Sequence, residues 1–197
     1  SEIIPQLIEN VPWPKSMRWG SGGFLFVRPI HWIVALFNNK VIPFELAGVK
    51  SGNKTRGHRF MAPQIIEVSD LRDYQQKMNG GSVILDQEKR EEEVERAVIN
   101  AANTVSGIIK KDPELLSTVV NMVEFPFAIC GSFDRAYLTL PDPVLITAMK
   151  EHQRYFSIRD QEGRLMPNFV AINNTVPRDE VVVRKGHERV LRARLAD

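Results

Sequence analysis

Basic side chains within an acid-free stretch are the residues best suited, by type and spacing, to a chemical role. Residues 46–66 contain no Asp or Glu, and their ionisable side chains are Lys50, Lys54, Arg56, His58 and Arg59. Such cations neutralise nucleic-acid phosphates, and the glycines at positions 48, 52 and 57 would let the backbone approach a phosphate closely. The stretch is a candidate site for contact with an RNA backbone, and solvated surface side chains are the alternative.

A second group of cations comprises Lys150, His152 and Arg154. Tyr155 and Phe156 follow directly, and aromatic rings beside cations can stack on unpaired bases. This combination of charge and aromatic surface makes the group a further candidate for RNA binding.

A third group of cations lies near the C-terminus, where the spacing of Lys185, Arg189 and Arg192 puts them on one helical face. Arg184 and Arg194 add to the positive charge. Acids are interleaved at positions 180, 188 and 197, so salt bridges along a solvated helix are the alternative to RNA contact.

Other kinds of site have weaker support. The four histidines lie far apart, no Cys-x2-Cys or His-x3-His pair is present, and we expect no metal site. Cys130 lies in an apolar run typical of a buried strand, which would raise the thiol pKa and disfavour nucleophilic catalysis. Residues 20–23 precede a predicted strand, so we interpret this glycine-rich segment as a hinge and not as a phosphate-binding loop. No catalytic residues can be assigned.

The elements that must position these residues are mixed helices and strands without regular βαβ alternation. This mixture predicts an α+β fold with mainly antiparallel sheets and packed helices. Helices are expected at residues 2–10, 70–78 with Ser69 as N-cap, 86–110, 112–122, 143–152 and 190–197, and strands at 24–27, 30–37, 41–46, 65–68, 82–85, 125–131, 155–159 and 165–172. Residues 47–60 are expected to form a loop.

Turn residues predict two hairpins and a division of the chain. Asn38-Asn39 tolerates positive φ and would join two strands, and residues 160–163 would form a second turn with a positive-φ glycine. We expect an N-terminal α+β region over residues 1–110 and a C-terminal α+β region over 111–197, with the seam within 111–125.

The composition describes an ordinary globular chain. Of 197 residues, 43% are apolar and 25% are charged, which excludes a disordered or collagen-like protein. Because 26 basic residues oppose 24 acidic ones, any binding of a polyanion must come from local clusters. A single cysteine favours a reduced, cytoplasmic setting, and no apolar run is long enough for a membrane span. The chain starts at Ser1 and stops within a helix-forming stretch, so we expect it to be part of a longer protein.

Five runs, in order along the chain, together resemble the β subunit of bacterial-type glycyl-tRNA synthetase. They are residues 14–19 (PKSMRW), 28–32 (RPIHW), 51–60 (SGNKTRGHRF), 150–156 (KEHQRYF) and 188–197 (ERVLRARLAD). The resemblance implies an α2β2 enzyme in which the α subunit holds the active site for ATP, Mg²⁺ and glycine. It also implies that the β subunit supplies most contacts with glycine-specific tRNA. This chain would be an N-terminal part of β, contacting the α subunit and the remainder of β, with no cofactor of its own.

Two alternatives to tRNA binding and scaffolding remain open. Part of this family's β subunit is likened to the B3/B4 module of the phenylalanyl enzyme, which hydrolyses mischarged tRNA, so a hydrolytic editing module is one alternative. His58 or His152 could position the water in such a module. The other alternative is a purely architectural domain, whose basic segments would pair with acids of a partner subunit.

Overall fold

The computed structural model describes residues 3–19 and 23–196. The chain divides into two compact units, residues 1–81 and 82–197. Residues 82–110, which the sequence-based division assigns to the N-terminal region, belong to the second unit. The physical reason is that Val94, Val98 and Ala102 are buried in the same core as Val170. Of the glycine-rich segment 20–23, residues 20–22 lie outside the described residues.

The first unit is built from short strands and two helices. Its elements are α1 (Ile3–Glu9), β1 (Met17–Arg18), β2 (Leu25–Phe26), β3 (Ile33–Val34), β4 (Leu36–Phe37), β5 (Lys40–Val41), β6 (Glu45–Leu46), β7 (Val49–Gly52), β8 (Lys54–Arg56), β9 (Ile65–Glu67) and α2 (Leu71–Gly80). Strand pairs β1–β2, β4–β5, β6–β7 and β8–β9 are antiparallel, and β3 pairs with β7 in parallel.

Local sequence explains several of these elements. Asn38 and Asn39 have φ values of 49° and 61°, which confirms the predicted hairpin turn between β4 and β5. Helix α2 begins after Asp70, whose carboxylate accepts a hydrogen bond from the Asp73 amide, so the prediction of Ser69 as N-cap is wrong by one residue. The predicted loop 47–60 is also wrong, because half of it forms β7 and β8.

The second unit is built around a four-stranded sheet. Its elements are α3 (Gln87–Asn103), β10 (Ile108–Ile109), α4 (Pro113–Val120), β11 (Phe127–Ser132), a 3₁₀-helix (Arg135–Thr139), α5 (Asp142–Thr147), a π-helical turn (Ala148–His152), β12 (Phe156–Arg159), β13 (Leu165–Asn173) and α6 (Glu180–Ala196). The strand order is β10-β12-β13-β11, and all pairs are antiparallel. This confirms the expected α+β class with antiparallel pairing.

Helices cover both faces of this sheet because β12 and β13 bury side chains on alternate sides. Phe156, Ile158 and Val170 pack against α3 and α4. On the other face, Phe169 and Ala171 pack against residues of α5 and α6. The sheet therefore forms the middle layer of the second unit and separates its two hydrophobic cores.

Two sequence predictions in this unit are wrong. Residues 82–85 form no ladder, because the Ile84 amide instead donates to the Glu124 carbonyl and the Arg90 guanidinium caps the Ile84 carbonyl. The long helix 86–110 ends at Asn103, and the chain turns through Ser106, which has a φ of 55°, to place β10 beside β12.

Candidate nucleic-acid interface

The hairpin of β8 and β9 presents basic side chains on its outer face. Strand alternation turns Lys54 and Arg56 outward and Thr55 inward, where its Oγ1 accepts a hydrogen bond of 3.1 Å from Trp32 Nε1. The connecting segment carries Arg59 and Phe60, which are also exposed. We refer to Lys54, Arg56, Arg59 and Phe60 as the hairpin surface.

Strand pairing brings acids beside two cations that the sequence places in an acid-free stretch. Lys54 Nζ lies 3.3 Å from a Glu67 carboxylate oxygen across the β8–β9 ladder, with both side chains mostly exposed. Lys50 is exposed and lies opposite Glu45 in the register of β6 and β7. The segment therefore lacks acids only along the sequence, because strand pairing places Glu67 beside Lys54 and Glu45 opposite Lys50.

Neither arginine of the hairpin surface forms an ion pair with a carboxylate among the described residues. Arg56 Nη1 donates to the Pro63 carbonyl at 2.7 Å, and the Arg59 guanidinium lies 5.6 Å from the centre of the Phe60 ring. Arg56 and Arg59 thus retain both positive charge and unused N–H donors, which an anionic partner can bind.

His58 is buried, with 1% of its surface exposed, and it organises the segment that follows. Its Nδ1 accepts hydrogen bonds of 3.3 Å from the amides of Phe60 and Met61, and its backbone carbonyl accepts from the Ala62 amide at 2.8 Å. In this position the imidazole shapes the turn that carries Arg59 and Phe60, although the sequence places it among the candidate RNA-binding side chains.

Phe60 is the aromatic residue at this surface that the sequence analysis misses. It is 74% exposed on a turn fixed by His58, beside Arg59. From the sequence, Tyr155 and Phe156 are instead the residues expected to stack on bases. A signal for Phe60 is present in the sequence, since it directly follows the basic run and comes three residues before Pro63.

Gly57 has a packing role that differs from the expected approach to phosphate. A Cβ on this residue would lie 2.7 Å from the Gly81 carbonyl oxygen and 2.9 Å from that of Ala62. The end of α2 therefore packs directly on the Gly57 backbone, and the His58 amide donates to Gly81 at 2.8 Å. The glycine permits close packing of two backbone segments within the first unit.

The group around residue 150 is largely neutralised. Lys150 Nζ lies 2.9 Å from Asp112 Oδ2 and 3.0 Å from a Glu114 carboxylate oxygen, and its side chain is 22% exposed. The hydrogen bonds that Lys150 donates to Asp112 and Glu114 raise the pKa of Lys150 above its ordinary value. Partial desolvation opposes ionisation of Asp112, but hydrogen bonds from the Leu115 amide and from Lys150 outweigh it and lower the Asp112 pKa.

The other members of this group are dispersed. Arg154 has a φ of 59° and donates to the Lys150 carbonyl at 3.2 Å, whereas His152 is exposed and lines a surface depression with Arg194. Tyr155 and Phe156 are 5% and 4% exposed, so the prediction that they stack on RNA bases is wrong. Phe156 lies in the core on one face of the sheet, and Tyr155 lies in the core on the other face.

Helix α6 presents the third group as an exposed basic face. We refer to Lys185, Arg189 and Arg192 as the α6 basic face; they lie at helical spacing and are exposed. Among the residues that the structure describes, no carboxylate pairs with any of the three. The interleaved Glu188 points elsewhere, because its carboxylate accepts hydrogen bonds from the Ser132 amide and hydroxyl at 3.0 Å and 3.1 Å.

Thus each unit carries a basic surface of its own.

Within residues 3–19 and 23–196, no group of three or more His, Cys, Asp or Glu side chains is arranged to hold a metal ion. Cys130 lies on β11, and burial raises its thiol pKa, as the sequence predicts. No helix in the described part of the chain is long and apolar enough to cross a membrane.

Comparison with known proteins adds an independent line of evidence. The family model described as glycyl-tRNA synthetase beta subunit matches residues 1–197. The glycine–tRNA ligase beta subunit of Syntrophus aciditrophicus is 49% identical over 197 residues, that of Geobacter sulfurreducens is 49% identical over 197, and that of Citrifermentans bemidjiense is 48% identical over 196. These alignments cover the whole of this chain and 28–29% of the length of each relative. The chain therefore belongs to the glycyl-tRNA synthetase beta subunit family.

Proposed function

We propose that this chain is the tRNA-binding and scaffolding segment of a glycine–tRNA ligase beta subunit. It supports ATP-dependent attachment of glycine to tRNA, with ATP, Mg²⁺ and glycine bound by the α subunit. Family membership along the whole chain supports the assignment to this enzyme. The partners in this proposal are glycine-specific tRNA, the α subunit and the remainder of the β subunit.

The observation that carries the local role is the α6 basic face. Lys185, Arg189 and Arg192 are exposed on one side of a 17-residue helix, and the nearest interleaved acid, Glu188, is held by Ser132. Three cations without carboxylate partners at helical spacing attract a polyanion, and each phosphate contact releases counterions. The hairpin surface adds Arg56 and Arg59, which also lack carboxylate partners among the described residues.

The test compares two triple variants in the complete α2β2 enzyme. One variant replaces Lys185, Arg189 and Arg192 by Ala, and the other replaces Lys54, Arg56 and Arg59 by Ala. Each should weaken tRNA binding and flatten the dependence of log Kd on log salt by about 0.7–0.9 for every lost phosphate contact. Glycine activation measured by ATP–pyrophosphate exchange should remain unchanged, because the proposed active site lies on the α subunit.

A charge-matched control separates specific contact from loss of net charge. Lys40, Arg72 and Lys89 are exposed and have no ion pair among the described residues, and they lie outside both surfaces. Replacing these three by Ala should leave tRNA affinity and its salt slope close to those of the parent enzyme. Unchanged tRNA binding in both test variants would refute the proposal. Loss of α–β assembly with unchanged tRNA affinity would instead support the architectural alternative.

The editing alternative has no specific observation in its favour. His58 is buried and accepts hydrogen bonds from backbone amides, which leaves its side chain away from the surface. His152 lines a depression with Thr147, Arg194 and apolar side chains, and no carboxylate lines that depression among the described residues. His58 is thus shielded from solvent, and the depression beside His152 offers no carboxylate among the described residues to orient a water molecule.

A further inference from the structure

A basic cavity in the second unit lies outside both surfaces described above. It has a volume of about 190 Å³, and its polar lining includes Lys110, Lys111, Asp112, Lys150, Ser157 and Arg159. Four of these six residues are cations. The cavity lies between the segment joining β10 to α4, the π-helical turn, and one face of β12.

The fold fixes the positions of these groups. On β12, Phe156 and Ile158 enter the core that the sheet forms with α3 and α4. Ser157 and Arg159 therefore project from the opposite face of the strand. Lys110 and Lys111 follow β10 directly, and β10 pairs with β12. Since Ile108 lies opposite Arg159 and Ile109 opposite Ile158, antiparallel pairing brings the Lys110–Lys111 dipeptide to the start of β12, next to Ser157.

The charges of the cavity do not cancel. Lys150 contacts Asp112 and Glu114, and Arg159 Nη1 lies 3.0 Å from Asp142 Oδ2. Lys110 and Lys111 are exposed and have no partner among the described residues. Four cations against three carboxylates leave an excess of one positive charge.

Hydrogen-bond donors also remain unused around the cavity. The Ser157 hydroxyl bonds to none of the described residues. Arg159 donates through Nη1 to Asp142 and to the Gly163 carbonyl, and its other guanidinium nitrogens have no partner among these residues. Two ammonium groups, a hydroxyl and part of a guanidinium can thus converge on one anion.

The size of the cavity limits the ligand. Pockets for drug-sized ligands usually begin near 300 Å³. The volume therefore suits a single tetrahedral oxyanion group and is small for a whole nucleoside.

We propose that Lys110, Lys111, Ser157 and Arg159 form a binding site for one phosphate group. The group is either inorganic phosphate or a phosphate of an RNA strand, since both present the same oxygens. This site does not depend on tRNA binding by the hairpin surface or the α6 basic face. It adds a discrete anion pocket to the second unit.

The experiment measures the rate of lysine acetylation in the full-length beta subunit, residue by residue, by mass spectrometry. Inorganic phosphate, added against chloride at matched ionic strength, should slow labelling of Lys110 and Lys111 saturably, by more than about threefold, because only the empty site reacts. Lys89 is the internal reference, since it is exposed, unpaired among the described residues and outside the cavity. Equal labelling rates of Lys110 and Lys111 in chloride and in phosphate would overturn the proposal.

Variants test whether the cavity itself causes the protection. Lys110→Gln should abolish the protection of Lys111 by phosphate, whereas Lys89→Gln should leave it intact. Ser157→Ala should weaken it, since one donor is lost. Protection of Lys111 that persists in the Lys110→Gln and Ser157→Ala variants would overturn the site.

The same labelling experiment with tRNA in place of inorganic phosphate identifies the source of the phosphate. Protection by both inorganic phosphate and tRNA supports the site with an RNA phosphate as occupant, and protection by inorganic phosphate alone supports it with the free ion. Protection by tRNA alone would indicate steric cover and would overturn the proposal. Failure of the surface variants to weaken tRNA binding would leave the phosphate arm unaffected, so the two proposals fail separately.

Discussion

His187 occupies the middle of a partly buried hydrogen-bond chain in the second unit. The Tyr155 hydroxyl lies 2.8 Å from His187 Nδ1, and His187 Nε2 lies 2.9 Å from Asn173 Oδ1. Since the amide oxygen can only accept, Nε2 carries the proton, and Nδ1 accepts from Tyr155 in the neutral ring. Burial lowers the pKa of His187 and raises that of Tyr155 to about 12, so both groups are neutral near neutral pH.

This histidine should make stability depend on pH. Because its pKa is lower in the folded than in the unfolded chain, the unfolded chain binds more protons as the pH falls below about 6.5. The unfolding free energy should therefore decrease from about pH 7.5 to about pH 5.5. His187→Gln should flatten this part of the profile, measured by urea denaturation. The exposed His152, changed to Gln, is the control, and an equal effect in both variants would contradict the assignment.

A second residue-scale prediction concerns the packing of Gly131 against Phe169. A Cβ at Gly131 would lie 2.5 Å from Phe169 Cζ, and the Phe169 ring is fully buried and stacked on Tyr155 at 4.6 Å. Gly131→Ala should lower the unfolding free energy by about 1–3 kcal/mol, because the ring cannot move without disturbing its core.

The control for Gly131 is Gly186 in α6, where an added Cβ meets nothing within 4 Å. Gly186→Ala should raise the unfolding free energy by about 0.5–1 kcal/mol, because alanine loses less backbone entropy in a helix. Chemical denaturation of both variants checks the pair. A neutral Gly131→Ala substitution would show that the core accommodates the extra methyl group.

At the scale of elements, the segment joining β8 to β9 acts as a fixed platform for one exposed ring. His58 holds the amides of Phe60 and Met61, which keeps the turn in one conformation. If the hairpin surface binds tRNA as proposed, Phe60→Ala should weaken binding by about 1 kcal/mol, or roughly fivefold in Kd, because base stacking is lost. The salt slope should not change, since no charge is removed.

Two substitutions sharpen this test of Phe60. Phe60→Trp should preserve the affinity because it keeps an aromatic face, whereas Phe60→Leu should resemble the Ala variant. Filter-binding or fluorescence titration with glycine tRNA measures all three. Equal affinity of the Leu and parent proteins would exclude stacking as the role of this ring.

For the molecule as a whole, carboxylates with lowered pKa values should set the acid limit of stability. Desolvation opposes ionisation of Asp112 and Asp160, but hydrogen bonds from backbone amides and from Lys150 and Arg164 outweigh it and lower both pKa values. Groups with a depressed folded-state pKa stabilise the fold above their unfolded value and lose that contribution as the pH falls through the folded one. The unfolding free energy should therefore drop below about pH 4.

The acid limb can be checked with Asp112→Asn, which removes one of the shifted carboxylates. This variant should be less stable than the parent at neutral pH, and the difference should shrink as the pH falls below about 4. Glu91→Gln, at an exposed position on α3 with no partner among the described residues, is the matched control. A difference between Asp112→Asn and the parent that is constant with pH would argue against ionisation of Asp112 as the cause.

The sequence by itself determined the α+β class, the turns at Asn38-Asn39 and near Gly163, and the helical face of Lys185, Arg189 and Arg192. These features depend on local conformational preference and periodicity, which neighbouring residues encode. The five runs of family residues likewise led to the glycyl-tRNA synthetase beta subunit family.

Only the tertiary structure decided which charges are free. Glu188 precedes Arg189 in the chain, yet its carboxylate binds Ser132 on β11. Lys150 has no acid close to it in sequence except Glu151, but it pairs with Asp112 and Glu114, more than 30 residues away. Ion pairing depends on distances of a few ångströms between side chains, and those distances are set by sheet register and helix packing across distant segments.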